Sequence, residues 1–179
     1  MALSGSGSRN TGKRSEAGKD VRMTRREKYP DTKTFHFYNA NPKGKFTGDC
    51  TVRAVATVLG KTWEEVTMEM AVLACETGYS FNSTENTDNY LNKHGFQKQK
   101  QPRKKNRKKY TAEEFCKAQQ RMLRDEKNHG HEWNDGIIIS PKIIAHVGGH
   151  HIVAIMDGKV NDIWDSTDGC IGNYWVKVS

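Results

Sequence analysis

The spacing of apolar residues changes once along this chain, and that change limits the folds open to it. From Cys50 the apolar positions recur at helical spacing: Val52, Val55, Ala56 and Leu59 share one face, and Gly60 follows as a natural stop. Thr62-x-x-Glu65 reads as a capping box opening a second helix, with Val66, Met70, Leu73 and Ala74 inward and Gly78 at its end. A third helix is expected from about Thr84 to His94, burying Tyr90 and Leu91, and a fourth opens at a second capping box, Thr111-x-x-Glu114, with Phe115 and Met122 on one face. After Gly136 the pattern is that of strands: Ile137 to Ile139, Ile143-Ile144, His151 to Met156, Val160 to Trp164 and Tyr174 to Val178. Asp157-Gly158 between two of these is a hairpin signal. The outline predicts an α+β domain, with a helical N-terminal half packed on a C-terminal antiparallel sheet.

Upstream, Thr34 to Tyr38 is a short alternating aromatic stretch, a strand or an arm packed on the body, and Asn39-Ala40-Asn41-Pro42-Lys43-Gly44 is a turn-forming run leading toward Cys50. Residues 1–33 carry too little apolar content to pack and are expected to be a disordered basic tail, leaving a single domain over 34–179. The net charge of +8 is unevenly placed. Residues 1–29 hold eight Lys/Arg against three acids, and Lys98 to Lys109 holds eight against none, which leaves −5 for the rest. The basic character therefore belongs to the tail and to a solvated loop at 97–110, and any weak nucleic-acid contact would come through Lys98–Lys109.

No apolar run approaches the roughly 18 residues of a membrane span, and Met1 to Ser6 lacks the apolar block of a signal peptide, so a cytoplasmic protein without membrane contact is expected. Cys50, Cys75, Cys116 and Cys170 are widely spaced, which indicates free thiols rather than a zinc site or a disulfide framework. His129, His131, His146 and His150 match no ligand spacing, so neither metal nor other cofactor is expected. Trp63, Trp164 and Trp175 read as core or cleft wall.

Gly48-Asp49-Cys50 places a thiol where a loop runs into a helix. Unpaired N–H groups and the helix dipole lower a thiol's pKa there, so a thiolate nucleophile can form. Asp49 is expected to cap that helix. About 100 residues later, Gly149-His150-His151-Ile152-Val153-Ala154 and then Trp164-Asp165-Ser166 supply a base and a residue to orient it.

Gly-Asp-Cys at a helix start, then a Gly-x-His-hydrophobic-Val-Ala strand, then an Asp on the next strand resembles the papain-like cysteine peptidase superfamily, over roughly residues 35–179. The likeness is closest to its small bacterial and phage branches, including papain-fold proteins common in phage genomes; phage origin would place the chain in the host cytoplasm. The resemblance implies Cys50 as nucleophile, His151 as base and Asp165 as orienting residue, with the Cys50 backbone N–H as one oxyanion donor. It also implies a side-chain amide donor shortly before the cysteine; no Gln stands there, and Asn41, with Asn39 as the alternative, is the nearest amide.

Two registers are open for the histidines. A two-residue Asp157-Gly158 turn pairs 156 with 159 and puts His150 opposite Asp165; a three-residue loop pairs 155 with 159 and gives His151 a face shared with Asp165. The resemblance favours His151 and hence the three-residue loop. The function expected is that of a thiol hydrolase cleaving a peptide or isopeptide amide in a protein or peptide substrate. The alternative is a papain-fold binding module, without catalysis, that contacts a host protein or nucleic acid through its basic segments. Substrate choice and oligomeric state have no readable code in these residues.

Overall fold

A computed structural model describes residues 23–125, 137, 138 and 140–178. It is α+β, with a mixed six-stranded sheet carrying helices on both faces. In chain order the elements are α1 (Arg25–Lys28), β1 (Phe35–Phe37), α2 (Cys50–Leu59), α3 (Trp63–Thr77), α4 (Thr84–Lys93), β2 (Phe96–Gln99), α5 (Ala112–Arg124), β3 (Lys142–Val147), β4 (His151–Met156), β5 (Lys159–Asp162) and β6 (Ile171–Lys177).

The helices start and stop where local chemistry requires. Both capping boxes form, Thr62 with Glu65 and Thr111 with Glu114, each satisfying two backbone donors that a helix start leaves unpaired. Gly60 and Gly78 end α2 and α3 at φ of +68° and +75°, where a side chain would be strained.

Strand alternation divides the core in two. Ile143, Ala145, Val147, Val153, Ile155, Val160, Tyr174 and Val176 face α5, whose Phe115 and Met122 close one layer with Phe35. Ile144, Ile152, Ala154 and Trp175 face the other way, onto Val52, Val55, Val66, Met70, Tyr90 and Leu91 of α2–α4. Because both faces are covered, these strands read as nearly continuous apolar runs rather than as alternating ones.

The sheet order is β1-β5-β4-β3-β6-β2; its four C-terminal strands pair antiparallel as expected, but the whole sheet is mixed. The N-terminal half supplies both edges: β1 pairs parallel to β5, and β2 pairs antiparallel to β6. Phe35, wholly buried, anchors β1. The β4–β5 hairpin is also corrected. Met156 pairs with Lys159 across a two-residue turn, with Asp157 and Gly158 at φ of +49° and +79°, the paired positive angles whose twist matches the flanking strands. Strand β5 ends at Asp162 rather than Trp164.

The expected tail is shorter than 1–33: residues 1–22 lie outside the described residues, but Thr24 already caps α1 with Glu27, and Asp31 holds His36. The expected loop at 97–110 is a hairpin on its own, with Lys98 and Gln99 in β2, Arg103 bridged to Lys109, and Pro102 and Tyr110 buried. Ile139, His129 and His131 lie outside the described residues.

Candidate active site

Helix α2 carries the cysteine as its first residue, and its apolar face on β4 brings that end of the helix to the start of the strand. The half-buried Cys50 sulfur lies beside the His151 imidazole and the Ile152 backbone N–H, both of which favour its thiolate form. Burial pushes the thiol's pKa up. The imidazole hydrogen bond, the Ile152 N–H and the charges of His151 and Arg53 outweigh it and bring the thiol below its ordinary value. Cys116, in the α5 core with the Val160 backbone beside it but no imidazole or cation, is pushed by burial up to about 12.

The imidazole's second partner is Asp162, not Asp165. His151 Nε2 is hydrogen-bonded to Asp162 Oδ2, and the Asp162 side chain is 4% exposed. In the two-residue hairpin Ala154 opposes Asn161, so Val153 opposes Asp162 and His151 lies diagonal to it on the same face. The choice of His151 stands although the loop expected to justify it does not form. With Nε2 on the carboxylate, Nδ1 is the nitrogen left for the thiol. Burial works against the imidazolium, but Asp162 and the thiol raise the His151 pKa to about 9. The Trp164 ring packs on the imidazole at 4.9 Å between centroids. His150 is exposed in the β3–β4 turn, and Asp165 caps a turn by accepting from the Thr167 N–H and hydroxyl.

Behind the carboxylate stands a residue that sequence reasoning passed over. Arg53, on α2 one turn after the cysteine, is buried; its Nη2 is 3.4 Å from Asp162 Oδ1, and its Nη1 pairs with Asp49 Oδ1. Asp49 Oδ2 in turn accepts from Asn41 Nδ2 at 3.0 Å and Trp63 Nε1 at 2.9 Å. This overturns one expectation. Asp49 makes no side-chain cap to α2, because its oxygens are committed to Arg53, Asn41 and Trp63. Asn41, expected as the oxyanion donor, gives one amide N–H to Asp49, accepts the Lys43 N–H on Oδ1, and does not line the cleft with Cys50. Asn39 is equally engaged, accepting from Asn41 N and donating to Lys45 O. A lone Arg within an apolar helical run was the available signal, since a buried cation needs a buried anion.

Cys50, Arg53, His151, Ile163 and Trp164 line an open cleft of about 210 Å³ with Arg25, Phe46, Thr47 and Gly48. The arrangement holds a thiol beside a proton carrier whose far side is fixed by a buried carboxylate, in a cavity open to a small group. Comparison with known protein families, curated proteins and solved structures finds no match to this chain.

Proposed function

We propose that this chain is a papain-like thiol hydrolase that cleaves an amide, in a peptide or isopeptide, through Cys50, His151 and Asp162. The observation that carries the reading is the unbroken chain of contacts from a thiol at a helix start, through an imidazole, to a buried carboxylate, at the wall of an open cleft. In this reading the Cys50 thiolate attacks the carbonyl carbon, and the carbonyl electrons move to oxygen, where the Cys50 backbone N–H at the helix N-terminus donates a hydrogen bond. His151 gives its proton to the amine as the carbon–nitrogen bond breaks, leaving a thioester. A water then loses a proton to His151 and attacks the thioester, releasing the acid and returning the thiol. Asp162 holds Nε2 and so keeps Nδ1 directed to the sulfur. Of the cleft residues just ahead of the cysteine, Phe46, Thr47 and Gly48, only Thr47 has a side-chain donor, and we assign it the second hydrogen bond to the oxyanion.

The test is trapping with a peptide-aldehyde or other electrophilic amide probe in wild type and Cys50→Ala, with the adduct located by mass. The expected result is one adduct on Cys50, together with iodoacetamide alkylation at about pH 6 that is faster at Cys50 than at the exposed Cys75 and Cys170. Equal labelling of the two proteins, or an inert Cys50, would leave a binding module as the better account.

A further inference from the structure

The residues that pair across one end of the sheet connect the thiol cluster to the basic hairpin. His151 at the start of β4 pairs with Val147 at the end of β3, Val147 pairs with Ile171 at the start of β6, and the Ile171 carbonyl accepts from Gln101 Nε2 at 2.7 Å, just past β2. The hairpin stands there: Arg103 bridges Lys109, and the Ile171 N–H is held by the Tyr110 carbonyl. Three strand spacings separate His151 from the hairpin base, about 14 Å, which about four or five extended residues would span. The intervening surface is concave and polar. A second groove, of about 310 Å³, is lined by Thr84, Gln101, His146, Gly149, Gly172 and Asn173, and it adjoins the β3–β4 turn through Gly149 as the first cleft does through His151.

The hairpin's charge is mostly unspent. Of the eight cations in 98–109, Lys98 pairs with Asp88 and Lys104 with Glu114; Lys100, Lys105, Lys108 and Lys109 are exposed with no carboxylate partner among the described residues. Arg103 donates to Gln101 and to the Arg107 carbonyl, which stiffens the turn without neutralising it. Single-stranded nucleic acid prefers exposed aromatic faces beside such charge. Here the neighbouring rings, Tyr110, Tyr174 and Trp175, are buried.

We propose that the protein takes a peptide with an acidic segment, seating that segment on the 98–109 hairpin about four or five residues from the amide held at Cys50. This rests on the thiol-hydrolase reading for the word substrate, but the binding itself can be measured apart from turnover. The experiment uses fluorescein-labelled peptides of about twelve residues, one Glu-rich and one Lys-rich, and an oligothymidylate of about equal length, titrated into the full chain in Cys50→Ala form at about 0.05 and 0.3 M salt. In parallel, each unlabelled ligand is tested for slowing iodoacetamide alkylation of Cys50 in the wild type.

The Glu-rich peptide is expected to bind most tightly, to weaken with salt, to slow alkylation of Cys50, and to lose about tenfold in affinity in Lys105→Glu/Lys108→Glu/Lys109→Glu. Tighter binding of the oligonucleotide, affinity unchanged by the charge reversal or by salt in the wild-type sequence, or bound peptide that leaves Cys50 alkylation untouched would each overturn the proposal. Binding and protection without cleavage would instead refute the hydrolase reading and leave the acidic-segment site standing.

Discussion

Replacing Asp162 by Asn separates this site from one in which an amide could hold the histidine. An Asn at 162 has one acceptor and one donor end, and two neighbours that both ask for an acceptor: His151 Nε2, and Arg53 Nη2 at 3.4 Å from Oδ1. If the amide oxygen faces the imidazole, its NH2 meets the guanidinium. If the oxygen faces Arg53, the NH2 donates to Nε2, and the ring must carry its proton on Nδ1, toward the sulfur, where it cannot accept one. The charge is lost in either case. Holding His151 at about 9 rather than the ordinary 6.5 corresponds to about 3 kcal/mol, shared between Asp162 and the thiolate and little screened, since the imidazole side chain is only 18% exposed.

Loss of the carboxylate's share of that stabilisation lowers the population of the thiolate–imidazolium pair by about tenfold or more at pH 6. The assay is the second-order rate of iodoacetamide alkylation at Cys50, followed by mass between about pH 5 and 9, because thiolate alone reacts. Wild type is expected to hold a plateau below pH 7, and Asp162→Asn to lose it, with alkylation rising only toward the pH of an ordinary thiol. Asp165→Asn, which keeps an oxygen acceptor for Thr167 and leaves the His151–Asp162 pair alone, is expected to change the rate less than about threefold. A low-pH plateau that survives in Asp162→Asn but collapses in Asp165→Asn would refute the assignment.

Arg53→Met is expected to leave Asp49 and Asp162 buried without their cation and to lower stability by about 3–5 kcal/mol in urea unfolding; a loss below about 1 kcal/mol would contradict the clamp. Trp63→Phe removes the indole donor to Asp49 together with part of the ring packed on the α2–α4 core, and is expected to cost about 1–2 kcal/mol or more by the same measurement. Thr47→Val is expected to lower kcat on any amide the enzyme cleaves by about tenfold or more with KM little changed, and an unchanged kcat would remove Thr47 from the oxyanion site. Cys50→Ala is expected to alter the pH dependence of Tm. The His151 pKa is raised in the fold, to about 9 with both Asp162 and the thiol facing it, so a His151 held by Asp162 alone contributes stability that is complete below 6.5 and is lost as pH rises through its raised folded value; the Cys50 pKa is lowered, so in the wild type the thiol releases the proton that the imidazole retains. The wild-type Tm is therefore expected to be flatter than that of Cys50→Ala between pH 6.5 and 9, and parallel curves would show that the two groups are uncoupled.

The helices were legible because their signals are local. Thr62 with Glu65, Thr111 with Glu114, and the 52/55/56 face of α2 act within two turns, and each appears where the residues call for it. The sheet edges were not, because β1 and β2 owe their places to partners about 80 or more residues away in sequence, Phe35 beside Val160 and Phe96 beside Lys177. In the site, Cys50 and His151 could be found because each stands at the start of its element. The error at Asp165 came from extending β5 to Trp164 and deriving the hairpin register from the residue it was meant to explain. Asp157-Gly158 alone calls for a two-residue turn, and that turn carries Asp162, not Asp165, to the imidazole's side of the sheet.

Asp49 and Arg53 then account for a buried polar cluster that the hydrophobic pattern cannot explain. The Asp162 carboxylate is buried, and a buried carboxylate is costly to hold unless a cation stands beside it. Arg53 supplies that cation from the helix that also carries Cys50, so docking α2 on β4 delivers the thiol and the carboxylate's counterion in one step. Two anions share one guanidinium, and the excess charge on Asp49 is met by neutral donors, Asn41 from the preceding loop and Trp63 from α3. The loop, both helices and the β4–β5 hairpin are thus tied through five side chains, Asn41, Asp49, Arg53, Trp63 and Asp162. A fault in the packing of any one of them is transmitted to the position of the imidazole, and Trp63, which does not line the cleft with Cys50, is where that transmission can be measured without touching a reacting atom.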